Sequence, residues 1–358
     1  MSPNLLDRFP VEIVSHIFNL CLEPPEACDD WTPADKVAPF VLSSVCRSWR
    51  SVTQNTPQLW NTIFISFNSP EKVALHAQLT REWLARSKQV PLSVIVELDT
   101  DLFYLKNNIF IPLLDVVAQS AARWVSLDIR PDIASHLGKT PLALSLFLDS
   151  IMSPSLQRFS CDFGDWELPT GSLLSFFTRS SCPLREFRAE RFDNRNNGFI
   201  RVLSVVPSLQ QLAVIHPTVE YHRPTITDQF LSTFDSKKTG ANKSGAFLPC
   251  LRTFAYEGRL NFAWDRLANF ADHLQSNWTA NDSSSKLQST MTTPPSIRIH
   301  IAGFLNKPIS CWPSDDSLPS FLHLLDSGFD IKISSAEFRG DKGWVEVDLL
   351  KSHPKSSC

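Results

Sequence analysis

Glycine is scarce in this chain, 11 of 358 residues, and that scarcity removes the loops that cradle phosphates. No G-x-G-x-x-G occurs. Gly138-Lys139-Thr140 has the look of a P-loop ending, but the glycine needed upstream is Ile133. The eight cysteines, at 21, 28, 46, 161, 182, 250, 311 and 358, form no CxxC pair. Their density is far below that of a disulfide scaffold, so reduced thiols in a cytoplasmic or nuclear protein are expected. There is no G-x-S-x-G or H-E-x-x-H. The nine histidines are dispersed without zinc-ligand spacing; His216 and His222 flank a Pro/Tyr loop and read as surface residues. Asp29-Asp30 and Asp315-Asp316 read as solvated turns. No catalytic, cofactor-binding or metal-ligating residue is expected, and the chain reads as a non-enzyme. A net charge of −3 provides no basic field for nucleic acid or an anionic membrane. No run of 18 apolar residues exists to span a bilayer, and the N-terminus lacks the pattern of a signal peptide. The sequons at Asn242, Asn277 and Asn281 are therefore expected to stay unmodified.

What is abundant is proline, 25 residues, punctuating short elements. From residue 91 on, short apolar strands alternate with helical stretches. "SLQRFSCDF" (155–163), "PLREFRAERF" (183–192), "SLQQLAVIHP" (208–217) and "CLRTFAYEGRL" (250–260) share one opening: Leu, then Gln or Arg, then an apolar residue three after the Leu. Those third positions are Phe159, Phe187, Leu212 and Phe254. "PLSVIVELD", "RWVSLDIRP", "SIRIHIAGF" and "GFDIKISSAEF" are looser relatives. Helical segments such as "IPLLDVVAQSA", "LALSLFLDSIM", "LLSFFTRS" and "FIRVLSVV" lie between them. The spacing from Leu156 to Leu184 is 28 residues and from Leu184 to Leu209 it is 25, periods that suit a leucine-rich-repeat-like solenoid of one strand and one helix per unit. The asparagine of the standard repeat is missing. The long gap to Leu251 holds the polar loop "DSKKTGANKSGA". Residues 279–296, rich in Ser and Thr, read as a disordered loop, and 351–358 as a tail.

The first sixty residues follow another rhythm. Asp7 suits an N-cap and Pro10 the first helical turn. Ile13, Val14, Ile17, Phe18, Leu20, Cys21 and Leu22 then cover more of the helix circumference than one buried stripe needs. "PFVLSSVCRSWRSV" places Phe40, Val41, Val45, Trp49 and Val52 on a second amphipathic helix. Past Pro57 a short third element carries Leu59 and Trp60. Residues 71–90 predict one more amphipathic helix, with Val73, Leu75, Leu79, Trp83 and Leu84 as its apolar positions.

Together "FPVEIVSHIF" and "VLSSVCRSWRSVTQNTPQLW" resemble an F-box, the adaptor-binding motif of substrate receptors in cullin–RING ubiquitin ligases. Pro10, Glu12, Ile13, Ile17, Phe18, Val45, Cys46, Arg47, Trp49, Leu59 and Trp60 match its pattern in order. Phe9 stands where Leu is usual, and the connection of about seventeen residues holds Trp31. The match covers residues 5–62; the remainder, "WLARSKQVPLSV" included, is similar to the irregular repeat domains that follow F-boxes in fungal receptor families.

The resemblance implies an α+β or α/β chain: a trihelical F-box over 1–62, a connecting helix over 63–90, and a leucine-rich-repeat-like domain over 91–350. It implies a substrate-recognition subunit of a Skp–cullin–F-box ubiquitin ligase. The Skp-type adaptor, and through it a cullin, would meet Pro10, Ile13, Val14, Ile17, Phe18, Leu42, Val45 and Trp60. Phe9, Trp49 and Leu59 would form the core of the F-box, and a protein substrate would bind the repeats. A second reading stays open, a non-catalytic repeat scaffold whose F-box-like module does not engage the ligase.

Overall fold

The computed structural model describes residues 9–22, 38–66, 70–98, 110–131, 142–194, 197–216, 226–234, 247–259, 262–284, 295–301, 313–338 and 344–351. The segment 23–37, the polar loop 235–246, the tail 352–358, His222 and the Gly138-Lys139-Thr140 triplet lie outside them. The described residues form a mixed α/β chain of eleven α-helices and ten strands, divided into two compact units.

The first unit comprises Met1–Ser135 and Leu146–Leu156. In chain order it holds α1 (Val11–Leu20), α2 (Ala38–Val45), α3 (Arg47–Asn55), a 3-10 turn at Pro57–Trp60 and β1 (Thr62–Ser66). Next come α4 (Val73–Ser87), β2 (Leu92–Leu98), α5 (Ile111–Ser120), β3 (Trp124–Pro131) and the C-terminal part of α6 (Leu142–Ser150). β1, β2 and β3 pair in parallel, with Ile63 opposite Val94 and Val94 opposite Leu127. All three side chains are buried. Parallel neighbours need a crossover long enough to return to the same end of the sheet, and α4 and α5 provide it. Arg123 ties the two crossovers together, donating to Ser87 Oγ at 2.8 Å and to Val90 O at 2.9 Å.

Three expectations are corrected in this unit. The stretch 63–90 is not one helix: Ile63 and Ile65 are buried and Phe64 exposed, the period-two pattern of a strand. In α4 the buried residues are Val73, Ala77, Thr80 and Ser87, while Leu75 and Leu79 face water. The expected second helix is two helices, because Cys46 adopts an extended backbone and its Sγ accepts from Trp49 N at 3.5 Å, capping α3.

The second unit comprises His136–Ser145 and Gln157–Cys358. It contains β4 (Arg158–Glu167), α7 (Thr170–Ser180), β5 (Glu186–Asp193), α8 (Gly198–Leu203), β6 (Gln211–Ile215) and α9 (Asp228–Ser232). These are followed by β7 (Thr253–Gly258), α10 (Trp264–Ser284), β8 (Ser296–Ile301), α11 (Leu318–Asp326), β9 (Asp330–Phe338) and β10 (Trp344–Asp348). Each strand from β4 to β9 pairs in parallel with the next, and β10 closes antiparallel on β9.

The shared opening of the strands has a structural meaning. Phe159, Phe187, Leu212, Phe254, Ile297 and Ile331 stand side by side in register as one buried row. The Gln or Arg that follows each leading Leu contributes its carbonyl as a rung: Gln157 O accepts from Arg185 N, Arg185 O from Gln210 N, and Gln210 O from Arg252 N. Helices cover the row. Phe177 of α7 packs on Phe159 and Phe187, Phe199 of α8 on Phe187, and Phe270 of α10 on Phe254, at ring separations of 5.2–5.9 Å.

The loop expected over 279–296 is corrected at both ends. Residues 279–284 continue α10, and Ser296 opens β8. Burial of Leu267, Phe270, Ala271 and Leu274 anchors the first turns of α10, and a helix once nucleated extends into polar sequence at little cost.

Candidate partner-binding surface

The N-terminal helices enclose a small core of their own. Val14 and Phe18 from α1, Leu42 from α2, and Leu59 and Trp60 from the 3-10 turn are buried against one another, with Phe40, Trp49, Val52 and Trp83 packed around them. Trp49 lies on Phe18 with ring centroids 4.9 Å apart. Trp60 is 0% exposed. Its ring meets Phe40 edge-on at 5.7 Å and Trp83 of α4 at 4.9 Å, and the Arg86 guanidinium sits 4.6 Å above it.

A buried indole needs a partner for its N–H. Trp60 Nε1 donates to Thr53 O at 2.9 Å, and Trp83 Nε1 donates to Trp60 O at 2.8 Å. Thr53 in turn donates its hydroxyl to Trp49 O at 2.8 Å. Ser15 Oγ of α1 and Thr56 Oγ1 lie 2.9 Å apart, a polar link from the first helix to the end of α3. These contacts fix how α1 is presented.

Over this core lies a second apolar set that no described residue covers. Phe9, Ile13, Ile17 and Leu20 are exposed; Ile13 remains 48% and Ile17 41% accessible. At 3.6 residues per turn Ile13, Ile17 and Leu20 fall within about 60° of one another on the wheel, and Phe9 stands just ahead of the helix. They form a stripe beside, and distinct from, the buried stripe of Val14 and Phe18. Val41 and Val45 of α2, one turn apart, are exposed as well. Monomeric proteins rarely leave contiguous apolar side chains in water without a use for them.

The structure thus sorts the sequence-derived residues. Ile13, Ile17, Val45 and Pro10 are at the surface. Val14, Phe18, Leu42 and Trp60, expected to meet a partner, are inside, because a module this small must spend its largest side chains on its own core. Phe9, expected inside, is half exposed at the start of α1. Trp49 is partly buried and Leu59 fully so. Among the described residues α1 begins at Pro10, whose carbonyl accepts from Ile13 N and Val14 N; Asp7 lies outside them. The sequence reading missed Trp83, Arg86 and Thr53 as parts of the Trp60 enclosure. Trp83 on an apolar helix face was the available signal.

Elsewhere, His216 is buried against Phe192 at 5.0 Å instead of lying at the surface. Asp315 and Asp316 are exposed, Trp264 is buried and Trp166 is partly so. No helix among the described residues is long and apolar enough to cross a membrane. Among the same residues no group of three or more His, Cys, Asp or Glu side chains could hold a metal ion. No protein-family model matches the chain, and no curated protein matches it.

Proposed function

We propose that the chain is a substrate-recognition subunit of a Skp–cullin–F-box ubiquitin ligase. Its N-terminal helices are an F-box that binds the Skp-type adaptor, and the strand–helix units that follow are a leucine-rich-repeat-like solenoid that holds a protein substrate. The observation that carries this reading is the uncovered stripe Phe9, Ile13, Ile17, Leu20 with Val41 and Val45, set on a core that already satisfies itself. It is supported by the order of motif residues from Pro10 to Trp60. The consecutive parallel pairing of β4–β9, with one aligned apolar row, supports the repeat half.

The mechanism is concentration without chemistry. Binding the adaptor with one region and a substrate with another makes ubiquitin transfer to that substrate an encounter within one assembly. The contact set differs from the one the sequence suggested: Ile13, Ile17 and Val45 meet the adaptor, while Trp60 and Phe18 hold the platform they stand on.

Co-expression with a Skp-type adaptor tests the proposal. A stable one-to-one complex is expected on gel filtration, and Ile17→Asp should weaken it about 100-fold, the cost of a charge in an apolar hot spot. An Ile17→Asp protein that melts normally and binds as tightly as the parent sinks the reading.

A further inference from the structure

The strands of the second unit carry a charge pattern on the face turned away from their helices. Phe187, Leu212, Phe254, Ile297 and Ile331 are buried on the helix side, so the alternate residues stand on the other face. Reading across β5 to β9 in register, the middle row of that face is Arg188, Ala213, Ala255, Arg298 and Lys332. It holds three cations, two alanines and no acid. The Arg188 and Arg298 side chains are 52% and 68% exposed, and Lys332 is exposed too. The acids belong to the flanking rows: Glu190 pairs with Arg188, Asp330 lies 3.7 Å from Arg298, and Glu186 and Glu257 are partly buried. The result is a cationic lane with a low, methyl-floored centre and anionic margins.

Its dimensions select a ligand. Arg188 and Arg298 are three strands apart, about 14 Å at the usual strand spacing, and an extended chain advances about the same distance in four residues. Side chains four apart on such a chain face the same way, and the one midway between them falls above the two alanines.

We propose that this face is a docking lane for an extended acidic peptide lying across β5–β9. Carboxylates at positions i and i+4 meet Arg188 and Arg298, and a bulky side chain at i+2 rests over Ala213 and Ala255. Exposed guanidinium forks suit carboxylates, and the missing side-chain volume between them suits bulk. This names a substrate class for the receptor and rests on the receptor reading only for its biological purpose, since the lane needs no adaptor to bind.

The test uses the full chain alone. Fluorescence anisotropy is measured with a labelled Gly-Ser-Glu-Ser-Phe-Ser-Glu-Ser-Gly peptide, a version with both Glu replaced by Gln, a version with the second Glu moved one place, and a single-stranded oligonucleotide of matched charge. Saturable binding is expected for the first peptide, weakened about tenfold by Arg188→Gln and again by Arg298→Gln. It should fall with added salt, and both altered peptides should bind at least about tenfold more weakly. Both arginines are exposed, so the variants should melt like the parent. Absence of saturable binding, indifference to the two substitutions or to the spacing of the acids, or equal binding of the oligonucleotide overturns the lane. Because the Ile17→Asp experiment reads adaptor binding and this one reads peptide binding, either proposal can fail while the other stands.

Discussion

Helix α1 and strand β5 each bury one stripe of side chains and leave another in water, and the exposed stripes differ in kind. On α1 the exposed apolar set is Ile13, Ile17 and Leu20, with Phe9 just ahead of the helix, beside the buried Val14 and Phe18; Val11, Glu12 and His16 are exposed too. On β5 Arg188 is exposed and Glu186 and Glu190 are half-buried, beside the buried Phe187 and Ala189. A charged face is stable in water and can wait for a ligand or do without one. An apolar face gains on the order of 25 cal/mol for each Å² that is covered, so covering the α1 stripe is favourable in a way that covering the β5 face is not. Only the first stripe is held in water at a standing disadvantage.

The sharpest way to test that comparison is to cut into each stripe of the helical module. Trp60 sits at the centre of the core with its ring enclosed by Phe40, Trp83 and Arg86. Trp60→Ala leaves a cavity and strands Thr53 O without its indole donor. A loss of about 3–5 kcal/mol is expected in denaturant unfolding. Ile17→Ser, on the exposed stripe one turn from Val14, should change stability by less than about 1 kcal/mol. Equal losses at the two positions would erase the distinction between the stripes.

A smaller effect is expected in the strand-rich unit. Gly198 opens α8, and a Cβ placed there would lie 2.2 Å from Thr170 Oγ1. Gly198→Ala forces the threonine side chain out of its rotamer, costing about 1–2 kcal/mol. In the double variant Gly198→Ala/Thr170→Ala the obstructing oxygen is gone and most of that loss should return. Additive losses in the double-mutant cycle would show that the strain lies elsewhere.

Much of the strand-rich unit was legible because its signal is local. A leading Leu, a rung-forming Gln or Arg and an apolar residue two positions after that put Phe159, Phe187, Leu212 and Phe254 on one row, and each strand pairs with its neighbour in sequence. Strands β1 and β10 went unread because each carries only a brief alternation, as in "TIFIS" and "WVEVD". In the helical module the motif located the right residues but not their direction. Ile13 and Val14 are adjacent, both apolar and β-branched, and only the placement of Thr53, Trp60 and Trp83 decides which turns inward. That information is spread over seventy residues and has no local pattern. The charged lane was illegible for the same reason: Arg188 and Arg298 lie 110 positions apart in sequence, and only the strand register sets them on one row.

The smallest expected difference concerns two equivalent turns. Cys182 precedes Leu184 at the entry to β5, and Cys250 precedes Leu251 at the entry to β7. Cys182 is partly buried, and burial pushes its thiol up to about 11; Cys250 is exposed. The thiolate is the reacting species, so alkylation below that value should be slow at Cys182 and climb about tenfold per pH unit. Iodoacetamide labelling of the native chain from pH 8 to pH 10, followed peptide by peptide in a mass spectrometer, should find Cys250 modified well ahead of Cys182. The Cys182 rate should still be rising at pH 10. A Cys182 rate that matches Cys250, or that levels off near pH 9, would mean that the turn into β5 opens to water as readily as the turn into β7, and that the cover over the entry to β5 is looser than its packing implies.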